Sequence, residues 1–170
     1  MAQEESKEAL QGMPPMGPPE EMKQCAAMVG TWDAVLKFKM APTDTNWAES
    51  KVVVTMNYAV GGAVMAMTYE SSMMGMPFSG AGWEAYDREN KQWQMTWVDN
   101  MSARIGLYSG ARTKDGSVYS GEDKMMGQTY HSRISVSNAT ADSFDWKGEN
   151  SMDGGKTWEV WGTAKYTKRK

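Results

Sequence analysis

From Gly30 onward, apolar residues recur at every second position, which is the spacing of a β-strand and not of a helix. In the first such segment they share one face: Trp32, Ala34, Leu36, Phe38 and Met40. The charged residues lie on the other face: Asp33, Lys37 and Lys39. Because successive side chains of a strand point to opposite faces, this pattern predicts an antiparallel sheet that is buried on one side.

Further alternating segments follow, separated by short connections rich in turn-forming residues. They cover residues 47–58, 63–71, 78–87, 91–100, 103–111, 117–124, 129–137, 143–149 and 157–167. The connections leave no room for helical crossovers, so consecutive strands are expected to be antiparallel neighbours. We therefore predict an all-β fold, a single antiparallel up-and-down β-barrel of about ten strands, with a sandwich as the alternative. Barrels of this size hold packed side chains or one small ligand.

The chain before Gly30 has a different character. Repeated proline from Gly12 to Pro19 prevents helix and discourages sheet, so residues 1–19 are predicted to form a disordered or extended arm. Residues 20–28 permit a short helix, with Met22, Ala26 and Val29 on one face. We expect this helix to pack across one end of a barrel domain that covers residues 20–170.

Composition excludes several classes of protein. The net charge of −3 argues against a nucleic-acid-binding surface, and no apolar run approaches the roughly 20 residues of a membrane span. The single Cys25 cannot form an internal disulfide. Residues 1–20 lack the apolar stretch of a signal peptide, and the localisation stays open: cytoplasmic for the sequence as written, periplasmic or secreted if a signal was removed before Ala2.

Gly30-Thr31-Trp32 follows the predicted helix directly. A glycine allows a helix to stop and a strand to start, and the indole is large enough to plug a barrel end. This opening resembles that of lipocalin-like barrels, in which a basic residue of the last strand stacks on the tryptophan ring. The resemblance assigns structural roles to Gly30 and Trp32, and that of the stacking cation to Lys168 or Arg169.

Several motifs together resemble the bacterial family called domain of unknown function 1579, over nearly all of the chain from Glu20. They are Val29 to Asp33, Gly61-Gly62, Met76 to Gly82, Tyr86-Asp87, Trp97 to Ser102 and Tyr166 to Lys170. One departure is Ala63, where the family often has a basic residue. The resemblance implies a calycin-type barrel and supplies no established reaction.

The chain is rich in methionine (17) and tryptophan (8) but poor in phenylalanine (3). This bias fits either a plastic packed core or a pliable ligand cavity. If a cavity exists, we expect it to be lined by the inward apolar residues Phe38, Tyr58, Trp93, Met95 and Trp97.

Asp99 continues the apolar row of Trp93, Met95 and Trp97, so its carboxylate needs a partner. Arg104 or Arg133 is a candidate for the ion pair. Asp99 would then be either a latch that caps the amides of the following loop or a polar anchor at a cavity mouth. Arg133 would be an anchor for a ligand carboxylate if it pointed inward, but the alternation favours an outward side chain.

No cofactor is expected. His131, the single histidine, is the only candidate for a haem ligand, and the thioethers of Met73, Met74 and Met76 are candidates for Cu(I). A lone histidine lacks any partner pattern, which disfavours haem, and a lid or a partner contact is the stronger interpretation of the methionines. Sequence motifs of catalysis are missing, so an enzyme is the minority hypothesis.

The sequence supports three alternative hypotheses about function. The first is binding of a small hydrophobic or amphipathic ligand inside the barrel. The second is a structural or interaction protein with a filled barrel, which forms a homodimer or binds a partner through the 73–77 loop or a strand edge. The third is an enzyme that uses the barrel mouth.

Overall fold

The computed structural model describes residues 15–41, 44–125 and 127–170. Ten antiparallel strands form one closed barrel in which each strand pairs with its neighbours in the chain and β1 pairs with β10. The strands are β1 (Gly30–Phe38), β2 (Ala48–Ala59), β3 (Val64–Met73), β4 (Met76–Asp87), β5 (Gln92–Asp99), β6 (Gly106–Thr113), β7 (Gly116–Met125), β8 (Gln128–Ser137), β9 (Ser143–Ser151) and β10 (Glu159–Lys168). The predicted fold class and strand number are confirmed.

The connections alternate between the two ends of the barrel, because every strand reverses the direction of the one before. Those after β2, β4, β6 and β8 lie at the end where β1 begins, which we call the closed end. Those after β1, β3, β5, β7 and β9 lie at the opposite end, the open end. The two ends differ in what covers them.

A 3₁₀ helix, Glu20–Met28, lies across the closed end. Its buried side chains are Met22, Cys25 and Met28, and Tyr58 Oη donates a hydrogen bond of 2.7 Å to the carbonyl of Met22. The predicted buried face of Met22, Ala26 and Val29 is wrong in part, since Ala26 is exposed. Three residues per turn place every third side chain on one face, whereas the prediction assumed the spacing of an α-helix.

Trp32 is fully buried beneath this helix, and its Nε1 donates to the carbonyl of Met28 at 2.8 Å. Lys168 is the stacking cation, with Nζ 5.1 Å from the ring centroid. Gly30 is needed for this contact, because a Cβ there would lie 2.7 Å from Lys168 Cε and its φ is +134°. Arg169 instead forms an ion pair with Asp33 on the outer face.

The alternation of the sequence becomes the inner and outer faces of the barrel. Trp32, Leu36 and Phe38 are buried inside, while Met40, predicted on the same face, lies beyond β1 and is 50% exposed. The strand ends at Phe38, so the alternation no longer applies to Met40.

The predicted disordered arm lies mostly outside the described residues, which exclude 1–14. In the segment 15–19, the carbonyls of Pro15 and Gly17 accept hydrogen bonds of 2.5 and 2.7 Å from the Arg88 guanidinium. Among residues 15–41, 44–125 and 127–170, no helix has the length and apolar character needed to cross a membrane.

Candidate functional site

The barrel interior differs along its length in how much solvent its side chains meet. Near the closed end, the inward residues Trp32, Met65 and Trp93 are buried. Other large apolar residues of the inner face remain partly exposed: Met67, Tyr69, Trp97, Ile134, Trp146 and Trp161. These side chains are therefore less tightly packed than those near the closed end, although the closed sheet covers the inner face.

Trp97 forms part of the inner wall at the open end. It meets Tyr69 edge to face at 5.6 Å between centroids, and Tyr69 meets Phe78 in the same way at 5.7 Å. Gly80 makes room for the indole, because a Cβ there would lie 2.4 Å from Trp97 Cζ2. Glycine inside a strand permits a close approach of this kind, because it has no Cβ.

Asp99 holds the loop that follows β5. Its Oδ1 accepts hydrogen bonds from the amides of Met101 (3.0 Å) and Ser102 (2.7 Å), and its Oδ2 accepts one from Trp97 Nε1 (2.9 Å). Asn100 adds bonds to Ser79 and to the carbonyl of Pro77. The geometry is that of the predicted latch.

Neither predicted ion pair of Asp99 is formed. Arg104 pairs with Asp123, whose Oδ2 also accepts a hydrogen bond of 2.7 Å from Tyr108 Oη. Burial raises the pKa of Tyr108, and also that of the nearby Tyr130 on β8. We call Trp97, Asp99, Arg104, Tyr108 and Asp123 the mouth cluster, since all lie where β5, β6 and β7 reach the open end.

Two buried donors have no hydrogen-bond partner among the described residues. They are Arg104 Nε in the mouth cluster and Trp161 Nε1, on the part of the inner wall formed by β9 and β10. Trp161 packs edge to face on Trp146 at 5.3 Å, and both rings lie against Gly148. Buried donors are rarely left unpaired, so both atoms are suited to a hydrogen-bond acceptor that enters the interior.

A second polar cluster lies deep inside, towards the closed end. Arg112 on β6 forms a bidentate ion pair with Glu84 on β4, with Nη2 2.8 Å from Oε2, and Tyr119 Oη on β7 donates to the same carboxylate. Burial lowers the pKa of Arg112, but the Glu84 carboxylate outweighs this and leaves it above its usual value. Sequence reasoning missed Arg112, because one arginine in an alternating strand gives no sign of its partner across the barrel.

The other predicted lining residues are spread over the molecule. Phe38, Trp93 and Met95 face inward and are buried, whereas Tyr58 lies at the closed end, bonded to the helix. Arg133 is on the outer face, where it stacks on Trp158 at 4.0 Å and donates to Glu149 at 2.9 Å. Arg133 therefore lies outside the barrel interior, as the alternation of the strand predicts.

The candidate cofactor ligands are also separated. His131 lies on the outer face with Nε2 4.0 Å from Glu122 Oε1. Met73 is half-buried at the open end, while Met74 and Met76 are exposed. Within the described parts of the chain, no three His, Cys, Asp or Glu side chains are grouped closely enough to hold a metal ion.

Comparison with known proteins gives a family and a fold. The sequence profile of the family described as "Protein of unknown function (DUF1579)" matches residues 17–168. None of the curated proteins matches the chain.

Two solved structures are similar in fold. Rv2717c from M. tuberculosis has a TM-score of 0.62 at 13% identity, with 90% of this chain and 99% of that chain covered. The S-type phycobiliprotein lyase CPES from Guillardia theta has a TM-score of 0.54 at 11% identity, with 89% of this chain and 92% of that chain covered. At such low identity, both likenesses concern the fold alone.

Proposed function

Because the chain belongs to the family of proteins of unknown function DUF1579 and forms a closed barrel, we propose that it binds a small amphipathic ligand inside that barrel. The observation that carries the proposal is the partial exposure of large apolar side chains on the inner face. A barrel filled by its own side chains would bury them.

The inner face of the barrel offers contacts for an apolar part of the ligand. These are made by aromatic rings, Met67 and Ile134, and contact with them would remove apolar surface from water. Methionine adapts to ligands of different shape because it is unbranched and flexible.

The mouth cluster supports a polar end of the ligand. The Arg104 guanidinium and the Tyr108 hydroxyl lie beside Asp123, and Arg104 Nε has no partner among the described residues. An acceptor such as a carboxylate or a carbonyl oxygen would satisfy that atom. The ligand would therefore be placed with its apolar part towards Ile134 and its polar part towards the open end.

The experiment uses a dansyl-labelled fatty acid as the probe and reads energy transfer from tryptophan to the dansyl group. Ile134→Trp adds an indole to the inner face, whereas Ser135→Trp adds one to the outer face at the next position of β8. Added bulk in an occupied space costs about 1–3 kcal/mol, so we expect Ile134→Trp to weaken binding about tenfold and Ser135→Trp to leave it unchanged.

Thermal unfolding of both variants would show that each still folds. Native mass spectrometry of gently purified protein would identify a bound molecule. The proposal is wrong if the wild-type protein does not bind the probe, or if the inner and outer variants bind it equally well.

A further inference from the structure

Half of the large exposed apolar side chains among the described residues lie at the open end. Of the connections among the described residues, those after β1, β3, β5 and β9 carry or border seven of them: Met40, Trp47, Met74, Met76, Met101, Ile105 and Met152. The closed end carries three: Val60, Tyr58 and Met16. We call the seven residues the apolar rim.

From this rim we infer that the open end docks reversibly on a lipid surface, from which the ligand of the proposed function enters the barrel. The inference rests on that function, because it gives the same mouth a source of amphipathic molecules. Binding to lipid and binding of the ligand are nevertheless separable by experiment.

One rim residue, Met74, has a backbone conformation that its side chain does not favour. The turn after β3 is Met74-Gly75, and Met74 has a φ of +51° while being 68% exposed. Asparagine, aspartate or glycine would suit this left-handed conformation better. The turn after β6, at the closed end, is Lys114-Asp115, which shows the usual polar chemistry in the same barrel. Val60 at the closed end combines a φ of +51° with 76% exposure in the same way, so the rim differs from the closed end in the number of its exposed apolar side chains and not in backbone strain.

Shape favours a lipid surface over a protein partner. The rim side chains belong to four connections that surround the mouth of a closed barrel, so the middle of this surface is the mouth itself and not a packed apolar centre. A protein interface needs a well-packed patch of about 800 Å² on each partner. Apolar tips can enter the boundary between headgroups and acyl chains one by one.

Charge favours a neutral lipid surface. The four rim connections carry the cations Lys39, Arg104 and Lys156 and the anions Asp44 and Asp153. Arg104 is already paired with Asp123 in the mouth cluster. This near balance gives little attraction to anionic lipids, so docking would depend on the apolar side chains and respond weakly to salt.

The rim is continuous with the mouth. Asn100 exchanges hydrogen bonds with Ser79 and bonds to the carbonyl of Pro77, which ties the loop of Met101 to the start of β4. Trp97 and Phe78 lie immediately inside these two segments. A molecule that leaves a lipid layer between the rim tips would meet the aromatic wall of the interior first.

Flotation with phosphatidylcholine vesicles tests the inference. The rim variant is Met74→Ser/Met101→Ser/Met152→Ser, and the matched control is Val35→Thr/Val60→Thr/Val118→Thr, which replaces three exposed apolar side chains away from the rim. We expect the wild type and the control to float with the vesicles, and the rim variant to bind at least about tenfold more weakly. Raising NaCl from about 0.1 to 0.5 M should change wild-type binding less than twofold.

Three results would overturn the inference: no flotation of the wild type, equal losses in rim variant and control, or release by salt. Light scattering tests the alternative that the rim is a contact between two copies of this chain. A wild-type dimer that the rim variant converts to a monomer would make the rim a contact between two copies.

Failure of the proposed function would look different. The rim variant should still bind the dansyl fatty acid in vesicle-free solution, and Ile134→Trp should still float. Loss of probe binding with intact flotation would count against the interior site alone.

Discussion

At the scale of single residues, the Trp97 to Ser102 motif builds a loop. The Asp99 carboxylate, at the end of an apolar row, accepts three hydrogen bonds from Trp97, Met101 and Ser102. Such bonds offset the cost of holding a charge near apolar surface. The glycine at position 80 serves the same loop, since it leaves room for the Trp97 ring that bonds to Asp99.

We predict that Asp99→Asn lowers the free energy of unfolding by about 1–3 kcal/mol, because the amide group would replace one acceptor with a donor. Urea denaturation measures the change. Asp142→Asn, at the exposed turn after β8, is the control and should have little effect. If both variants were as stable as the wild type, the carboxylate would not be a latch, and a role at the cavity mouth would become the better explanation.

At the scale of elements, the Glu84–Arg112–Tyr119 cluster joins β4, β6 and β7 through the interior. The Arg112 guanidinium also lies 5.8 Å from the Trp93 ring centroid, so it spans the intervening strand β5. Burial, followed by the Glu84 carboxylate, raises the pKa of Tyr119. The phenol therefore keeps its proton and remains a donor across the ordinary pH range.

Arg112→Met should cost about 3–5 kcal/mol of unfolding free energy, because it leaves the Glu84 carboxylate buried without its counterion. The double variant Glu84→Gln/Arg112→Met should recover part of that loss. Urea unfolding of the two single variants and the double variant completes the cycle. Additive losses would show that the two side chains do not depend on each other.

At the scale of the whole molecule, the barrel has one plugged end and one open end. The helix seals the closed end with Met22, Cys25 and Met28, while the rim and the mouth cluster surround the other. Burial raises the pKa of the Cys25 thiol to about 12, so little thiolate exists at neutral pH. Reaction of Cys25 with an alkylating reagent would therefore report the opening of the closed end.

We predict that Tyr58→Phe speeds iodoacetamide labelling of Cys25 about 2–10-fold at pH 8, since it removes a bond to the helix worth roughly 0.5–1.5 kcal/mol. Mass spectrometry follows the labelling with time. Tyr130→Phe, at the open end, should not change the rate. If Cys25 of the wild type were labelled as fast as in the urea-unfolded chain, the helix would not be packed against the closed end of the barrel.

The strands could be predicted because their signal is local. Each needs only its own alternation and a turn on either side, so the segment predicted at 47–58 is the observed β2, Ala48–Ala59. Gly30, Trp32 and the Asp99 latch were found in the same way, since each works with residues close by in the chain or through a recognised motif. The helix at 20–28 was also found, but local spacing did not reveal its 3₁₀ geometry.

Sequence alone therefore predicted the strand order, the antiparallel pairing and the inward face of strands such as β1, because alternation and short connections leave few other arrangements. Only the tertiary structure decided which side chains meet across the barrel, such as Arg112 with Glu84, and which connections gather at one end. Those contacts join residues far apart in the chain, so they depend on the closure and register of the whole sheet. The packing inside the barrel has the same origin, since it depends on how the inner side chains of all ten strands fill the enclosed volume.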